Sequence, residues 1–200
     1  MNKINRFVIA VLALGLMSGG ALTRAAAAEQ TDKTSPSYDM KAQALLDLQE
    51  LEKKLTDLAA AIPADKFSWR PAPGVRSIAE VYLHIAGANY MIPGMLGVTP
   101  PADYKKDGFE KSTTDKAKII DQLNQSFAFA LSAVGKMTNA DFAKPEKKLG
   151  PDANDGDIVY LLVTHAHEHL GQSIAYARMA GVVPPWTADY EKNHPQQPKE

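Results

Sequence analysis

The sequence contains no cysteine among its 200 residues. This absence excludes disulfide bonds, cysteine metal ligands and a thiol nucleophile, so stability must come from a buried core. Positive charge is not in excess either, since 22 basic residues stand against 23 acidic ones. Because nucleic-acid-binding proteins depend on basic patches, we predict no nucleic-acid partner. The small basic cluster Lys144, Lys147 and Lys148 is interpreted as a solvated loop.

Strand patterns are missing as well. No segment alternates apolar and polar residues over the length of a strand, and no glycine-rich phosphate loop or internal repeat occurs. The remaining patterns have helical periodicity, and connections containing proline and glycine separate them. The sequence therefore predicts an all-α protein with the architecture of a four-helix bundle.

The first 28 residues have the features of a secretory signal peptide. Lys3 and Arg6 precede an apolar run over residues 7–17, which is too short to span a bilayer, and three alanines at 26–28 suit cleavage. Removing this segment would change the net charge from −1 to −4. We expect an unlipidated periplasmic or secreted protein without stable membrane insertion after cleavage, and an uncleaved membrane anchor is the alternative.

The rest of the chain divides into a disordered leader (29–36), the bundle (37–187) and a polar tail (188–200). The first helix is predicted over 37–61, after a start signal at Ser35-Pro36. Its apolar stripe consists of Leu45, Leu48, Leu51, Leu55 and Leu58. In the connection that follows, Phe67 and Trp69 are expected to plug the end of the bundle; a substrate contact is the alternative.

The second helix opens with a capping box. The Ser77 hydroxyl and the Glu80 carboxylate are spaced to bond each other's backbone amides, which gives Glu80 a structural role. An apolar stripe continues from Ile78 to Ile92, and a Pro93-Gly94 pair is expected to bend or end the helix. His84 adjoins this stripe and is therefore predicted to face inward.

Two further helices complete the bundle. The third is predicted to begin after a cap at Ser112 or Thr113 and to run to Met137. The fourth is predicted to begin near residue 154 and to end at Gly181. Its inward stripe reads Ile158, Leu161, Leu162, His165, His169, Gln172, Tyr176 and Met179.

Histidines in the fourth helix predict a metal site. Because each helical residue advances by about 100°, His165 and His169 lie about 40° apart on one face, while His167 points almost the opposite way and is expected to be exposed. A His-x-x-x-His pair can hold one metal ion. The pair lies in the apolar stripe, where His84 could meet it across the core. A histidine such as His84 could otherwise be a hydrogen-bonded core residue.

A site of three imidazoles would hold a divalent transition metal ion and leave at least one coordination position open. Such an ion would satisfy three acceptor nitrogens that otherwise each need a partner. Gln172, one turn after His169, is predicted to orient a ligand or a water; a buried amide bonded to a neighbouring helix is the alternative. Tyr82, Asn89 and Tyr176 are weaker candidates for lining the pocket.

Several segments are informative together because of their order and spacing. They are Trp69-Arg70-Pro71-Ala72-Pro73-Gly74 with Ser77-Ile78-Ala79-Glu80, Leu83-His84-Ile85-Ala86-Gly87-Ala88, His165-x-x-x-His169-Leu170-Gly171-Gln172, and Gly181-Val182-Val183-Pro184-Pro185-Trp186. In these segments the chain resembles the DinB/YfiT-like superfamily, over about residues 38–187. The resemblance implies an up-up-down-down bundle with a long crossover. It also implies a metal site at the positions of His84, His165 and His169. Leu170 departs from the family pattern, in which an arginine often precedes the Gly-Gln and could bind an anionic group.

The family implies more than one function. It includes transferases and isomerases that act with low-molecular-weight thiols, and members without known activity. We therefore expect a metal-dependent S-transferase or hydrolase, with zinc or nickel favoured, in which the ion activates a thiol or water to attack a small electrophile. A non-catalytic bundle that binds metal or a small ligand is the alternative, and a purely structural or dimerising bundle is the third hypothesis. Bundles of this type often pair, so a homodimer is compatible with each.

Overall fold

The computed structural model describes residues 38–195, which contain six α-helices and no β-strand. Their bounds are α1 Met40–Ala61, α2 Ile78–Met95, α3 Lys116–Lys136, α4 Asn139–Phe142, α5 Asp155–Met179 and α6 Pro185–Asn193. The prediction of an all-α protein is confirmed. No helix in this range combines the length and apolarity needed to cross a membrane. The predicted signal peptide and leader lie outside the described residues.

The first helix begins later than predicted. Asp39 is its N-cap and accepts a hydrogen bond from the backbone amide of the third helical residue. Tyr38 and Asp39 precede the helix, so the predicted start at Ser37 is too early, and the Ser35-Pro36 signal lies outside the described residues. The leucine stripe is buried as predicted: Leu48, Leu51, Leu55 and Leu58 are fully inaccessible, and Leu45 packs against them.

The four long helices pack around one core. Both α1 and α2 contact α3 and α5. Lys41, at the start of α1, donates to two carbonyls at the end of α3 at 2.8 and 2.6 Å. Lys116, at the start of α3, donates to two carbonyls at the end of α1 at 2.6 and 2.8 Å. These two helices are therefore antiparallel, and each lysine offsets the partial negative charge of the other helix's C-terminus. The up-up-down-down order of the whole bundle stays a prediction.

The start of α3 differs from the prediction. Its N-cap is Asp115, whose carboxylate accepts from the Lys118 amide, rather than Ser112 or Thr113. Ser112 instead follows a separate 3-10 turn, Phe109–Lys111. The Thr113 hydroxyl accepts from the Asp115 amide at 3.0 Å and so supports the cap from two positions before it.

Both helices that carry the histidines have capping boxes at their N-termini. In α2, Ser77 N donates to Glu80 Oε2 at 2.6 Å and Glu80 N donates to Ser77 Oγ at 3.2 Å, as predicted. In α5, Asn154 and Asp157 make the equivalent pair of bonds. These local bonds fix where each helix starts, and hence which way its histidines face.

Three features of these helices correct the sequence expectations. Pro93 neither ends nor interrupts α2, which continues to Met95. Met179 is 62% exposed, so the inward stripe of α5 stops before the helix does. Lys148 is not purely solvated, because its ammonium donates to the carbonyl of Met95, the last residue of α2, at 2.6 Å.

Two short helices were not predicted. The four-residue α4 lies inside the connection expected at 139–153, and α6 occupies part of the predicted polar tail. A capping box at Thr138 and Asp141 supports α4. In α6, Pro185 stands at the first helical position and Lys54 of α1 lies over the Trp186 ring at 5.9 Å. Contact with α1 thus stabilises α6, although the sequence of α6 is mostly polar.

Candidate metal centre

The structure brings His84, His165 and His169 together between α2 and α5. One ring nitrogen from each lies within 4.8 Å of the others. The ring centroids are 5.0 Å apart for His84 and His165, 4.6 Å for His84 and His169, and 4.5 Å for His165 and His169. His169 is buried, whereas His84 and His165 are partly exposed. The cluster therefore lies at the edge of the core, where a small molecule can reach it.

Glu110 sets the tautomer of His84. The Nδ1–H of His84 donates to Glu110 Oε1 at 2.6 Å, because an ionised carboxylate can only accept. The Nε2 of a neutral His84 is then left with its lone pair. Arg76 holds this carboxylate in place through Nε to Oε2 at 2.8 Å and Nη2 to Oε1 at 3.2 Å. Burial alone would raise the pKa of Glu110, but these hydrogen bonds from Arg76 and His84 lower it, so Glu110 stays ionised.

Gln172 has the same effect on His169. The Nδ1–H of His169 donates to Gln172 Oε1 at 2.8 Å, which leaves Nε2 of the neutral ring as the acceptor. Gln172 Nε2 in turn donates to the Tyr176 hydroxyl at 3.2 Å, which orients the amide. Tyr176 packs edge-on against Trp69, with ring centroids 5.7 Å apart. A chain of contacts thus links the loop before α2 to a candidate metal ligand on α5.

The spacing of the nitrogens fits a shared ion. His84 Nε2 and His165 Nε2 are 3.1 Å apart. Two imidazoles bound tetrahedrally to one zinc ion, each at about 2.0–2.1 Å, place their nitrogens about 3.4 Å apart. Since His84 Nε2 carries a lone pair, it either accepts a hydrogen bond from His165 Nε2–H or shares a cation with it. In the second case the proton of a neutral His165 would lie on Nδ1, so the two arrangements differ in the tautomer of that ring and not in its charge.

Two of the histidines are held neutral. Burial, together with the neighbouring His169, His84 and Arg76, lowers the pKa of His165 to about 4. Burial also lowers the pKa of His169, despite the hydrogen bond that His169 donates to Gln172 and that favours its protonated form. Neutral imidazole is the form that binds metal. The α5 pair is therefore in a ligating state at neutral pH.

We expect the metal-free protein to lose stability between pH 6.5 and pH 4. Unfolded His165 takes up a proton near its ordinary pKa of about 6.5, whereas the folded protein resists it until about pH 4. The unfolded state thus binds more protons in this window, and stability falls as pH falls. After discounting for the half-buried position, we expect a loss on the order of 1–2 kcal/mol. Urea unfolding of chelator-treated protein at pH 7, 5.5 and 4 measures it. A His165→Gln variant should show a shallower pH slope, and an identical slope would contradict the assignment.

Glu110 was not predicted from the sequence, because it lies in the long connection between α2 and α3. The neighbouring Phe109 ring and the Tyr104 hydroxyl lie against Gly87 of α2, where an added Cβ would meet them at 3.4 and 3.5 Å. The Tyr104 hydroxyl also donates to the Gly87 carbonyl at 3.4 Å. A small residue one turn after His84 therefore lets the connection dock close to α2 and brings Glu110 to the imidazole.

The other candidate residues have different surroundings. His167 is exposed on the outer face of α5, as predicted, and Leu170 is buried. Tyr82 is buried in the core, where its ring stacks on Phe67 with centroids 6.2 Å apart. Asn89 is buried too and donates to Ser126 of α3 at 3.2 Å. Phe67 is thus a core residue as expected, and Tyr82 and Asn89 belong to the core rather than to the site.

Comparisons with known proteins agree with the fold. Residues 47–173 match the model of the DinB superfamily, a span that includes all three histidines. A DinB-like protein from Bacillus cereus has a similar crystal structure, with a TM-score of 0.63 and 19% identity over 72% of this chain and 95% of that one. A conserved protein from Enterococcus faecalis gives a TM-score of 0.59 and 14% identity over 72% and 98%. At these identities the likeness shows the fold alone. The search of curated proteins found no match.

Proposed function

This chain belongs to the DinB superfamily, and on that premise we propose that it is an exported metal-dependent enzyme that acts on a small molecule. The observation that carries the proposal is the convergence of three ring nitrogens within 4.8 Å, with two of the tautomers set by Glu110 and Gln172. His84, His165 and His169 would hold a divalent ion. Zinc and nickel are favoured because both bind well to neutral imidazole. When bound, the ion would supply a Lewis acid that favours deprotonation of a thiol or a water.

The residues of the chain position the reactants. His84 and His165 are partly exposed, so the open side of the cluster faces solvent and admits a substrate. The Trp69–Tyr176 pair gives an apolar surface near Gln172. In a transfer reaction, the thiol sulfur would form a bond to an electrophilic carbon, the leaving group would depart with its bonding electrons, and the thiol proton would pass to solvent. The features of residues 1–28 support export.

A non-catalytic metal- or ligand-binding module is the second candidate, and one observation favours it. The two polar side chains that bond the histidines, Glu110 and Gln172, are already hydrogen-bonded to other residues as well. Glu110 is held by Arg76 and His84, and Gln172 is held between His169 and Tyr176. Neither Glu110 nor Gln172 is therefore free to act as a general base.

Turnover by fully metallated protein distinguishes the two functions. Mature protein would be loaded with zinc or nickel and incubated with a thiol and a chromogenic aryl halide, and separately with an activated ester. We expect conjugation or hydrolysis well above that of a His165→Ala/His169→Ala variant. If loaded wild-type protein stays at the level of the variant with every substrate, the binding module is the better description.

A further inference from the structure

Arg76 lies beside the candidate metal centre, in the loop before α2. Its Nη2 bonds the same Glu110 oxygen that accepts from His84, at 3.2 and 2.6 Å. Only one carboxylate oxygen therefore separates the guanidinium from an imidazole of the cluster. The Arg76 side chain is 39% exposed, and His84 and His165 are partly exposed as well.

The guanidinium retains hydrogen-bonding capacity. Arginine carries five N–H donors in a planar fork, and Glu110 takes bonds from Nε and Nη2 alone. Nη1 has no protein acceptor among residues 38–195. A bound carboxylate could use the remaining donors, because planar carboxylates match the guanidinium fork.

The charge balance also favours an anion. The negative charge of Glu110 balances the positive charge of Arg76. The carboxylate of Glu80 balances Arg70 in the same way, through a contact of 3.1 Å. The three imidazoles contribute no negative charge, so the charge of a divalent ion would remain uncompensated among them. The Arg76 guanidinium is close to the site, since one Glu110 oxygen lies 3.2 Å from its Nη2 and 2.6 Å from His84 Nδ1. A ligand with one or two negative charges is therefore the best electrostatic match.

We infer that Arg76 binds a carboxylate of the substrate while the reacting end of that molecule lies at His84, His165 and His169. Arg76 is thus a specificity residue that selects anionic small molecules over neutral ones. This inference rests on the proposed function, because it needs an occupied metal site. The carboxylate belongs either to the thiol or to the electrophile, and the experiment below separates these sources.

The test uses cobalt(II)-loaded mature protein, whose visible spectrum reports ligand binding without turnover. The thiols are 3-mercaptopropionate and its neutral match, 3-mercaptopropanamide; the electrophiles are 3-chloropropionate and 3-chloropropanamide. We expect wild-type protein to bind one or both carboxylates about tenfold more tightly than the matching amide. Arg76→Gln should bring that affinity ratio close to one. Arg76→Lys should retain part of the preference, because lysine keeps the positive charge but lacks the planar guanidinium that bonds a carboxylate through two N–H groups. Arg70→Gln, in the same loop, should leave the ratio unchanged.

The outcomes are distinguishable. Failure of wild-type protein to take up cobalt would remove the proposed function itself. If cobalt and ligands bind but the ratio is the same in wild type and Arg76→Gln, the inference about Arg76 is overturned while the proposed function stands. If Arg76→Gln does not take up cobalt, Arg76→Lys decides: a reduced ratio supports the inference and an unchanged ratio overturns it. A preference found with only one pair identifies the reactant that carries the carboxylate.

Discussion

Replacing His165 and His169 by alanine is expected to abolish stoichiometric metal binding. Two of three ligand nitrogens disappear, and His84 alone cannot hold a divalent ion against a mild chelator. Wild-type mature protein, expressed without a histidine tag and dialysed against zinc or nickel, should contain about one ion per chain. The double variant should contain almost none by elemental analysis.

A matched control comes from the same helix. His167 points away from the cluster and is exposed, so His167→Ala removes one imidazole without touching the site. It should keep the full metal content, and circular dichroism should show the helical content of all three proteins to be alike. Equal metal content in wild type and double variant would remove both the metal centre and the chemistry proposed for it.

Local sequence signals predicted the histidine cluster because helical geometry fixes side-chain direction over short distances. The four-residue spacing of His165 and His169 places both rings on one face of any regular helix. The apolar stripe around each histidine then indicates that this face is turned inward. The capping box at Ser77 was predicted from the sequence and fixes the start of α2. The start of α5 was predicted only approximately, near residue 154, and the structure adds the capping box at Asn154.

Other features depend on contacts that the sequence does not display. Glu110 lies 26 residues after His84, and its position depends on how Phe109 and Tyr104 dock on Gly87. Periodicity carries no information about such loop docking. The start of α3 illustrates a second difficulty. Ser112, Thr113 and Asp115 are all residues that favour caps, and the sequence does not show that Ser112 follows the 3-10 turn Phe109–Lys111 while Asp115 caps the helix.

Replacing Glu110 by glutamine is expected to weaken metal binding about 10- to 100-fold, the range found when a carboxylate behind a ligating histidine is lost. Glutamine keeps the shape but loses the charge that makes His84 more basic. Its amide can also present an N–H₂ to the ring, which would permit the wrong tautomer. Because Glu110 bonds both His84 and Arg76, its effect should be larger than that of any other change outside the three histidines.

Competition with a coloured chelator of known affinity measures this loss. Glu50→Gln is the matched control, because Glu50 pairs with Lys54 in an exposed i, i+4 salt bridge on α1 and such pairs contribute little. Its metal affinity should equal that of wild type. A third variant, Glu110→Asp, keeps the charge but shortens the reach, and its affinity should fall between the other two. If Glu110→Gln binds metal as tightly as wild type, the carboxylate does not act on His84, and the tautomer assigned to that ring is wrong.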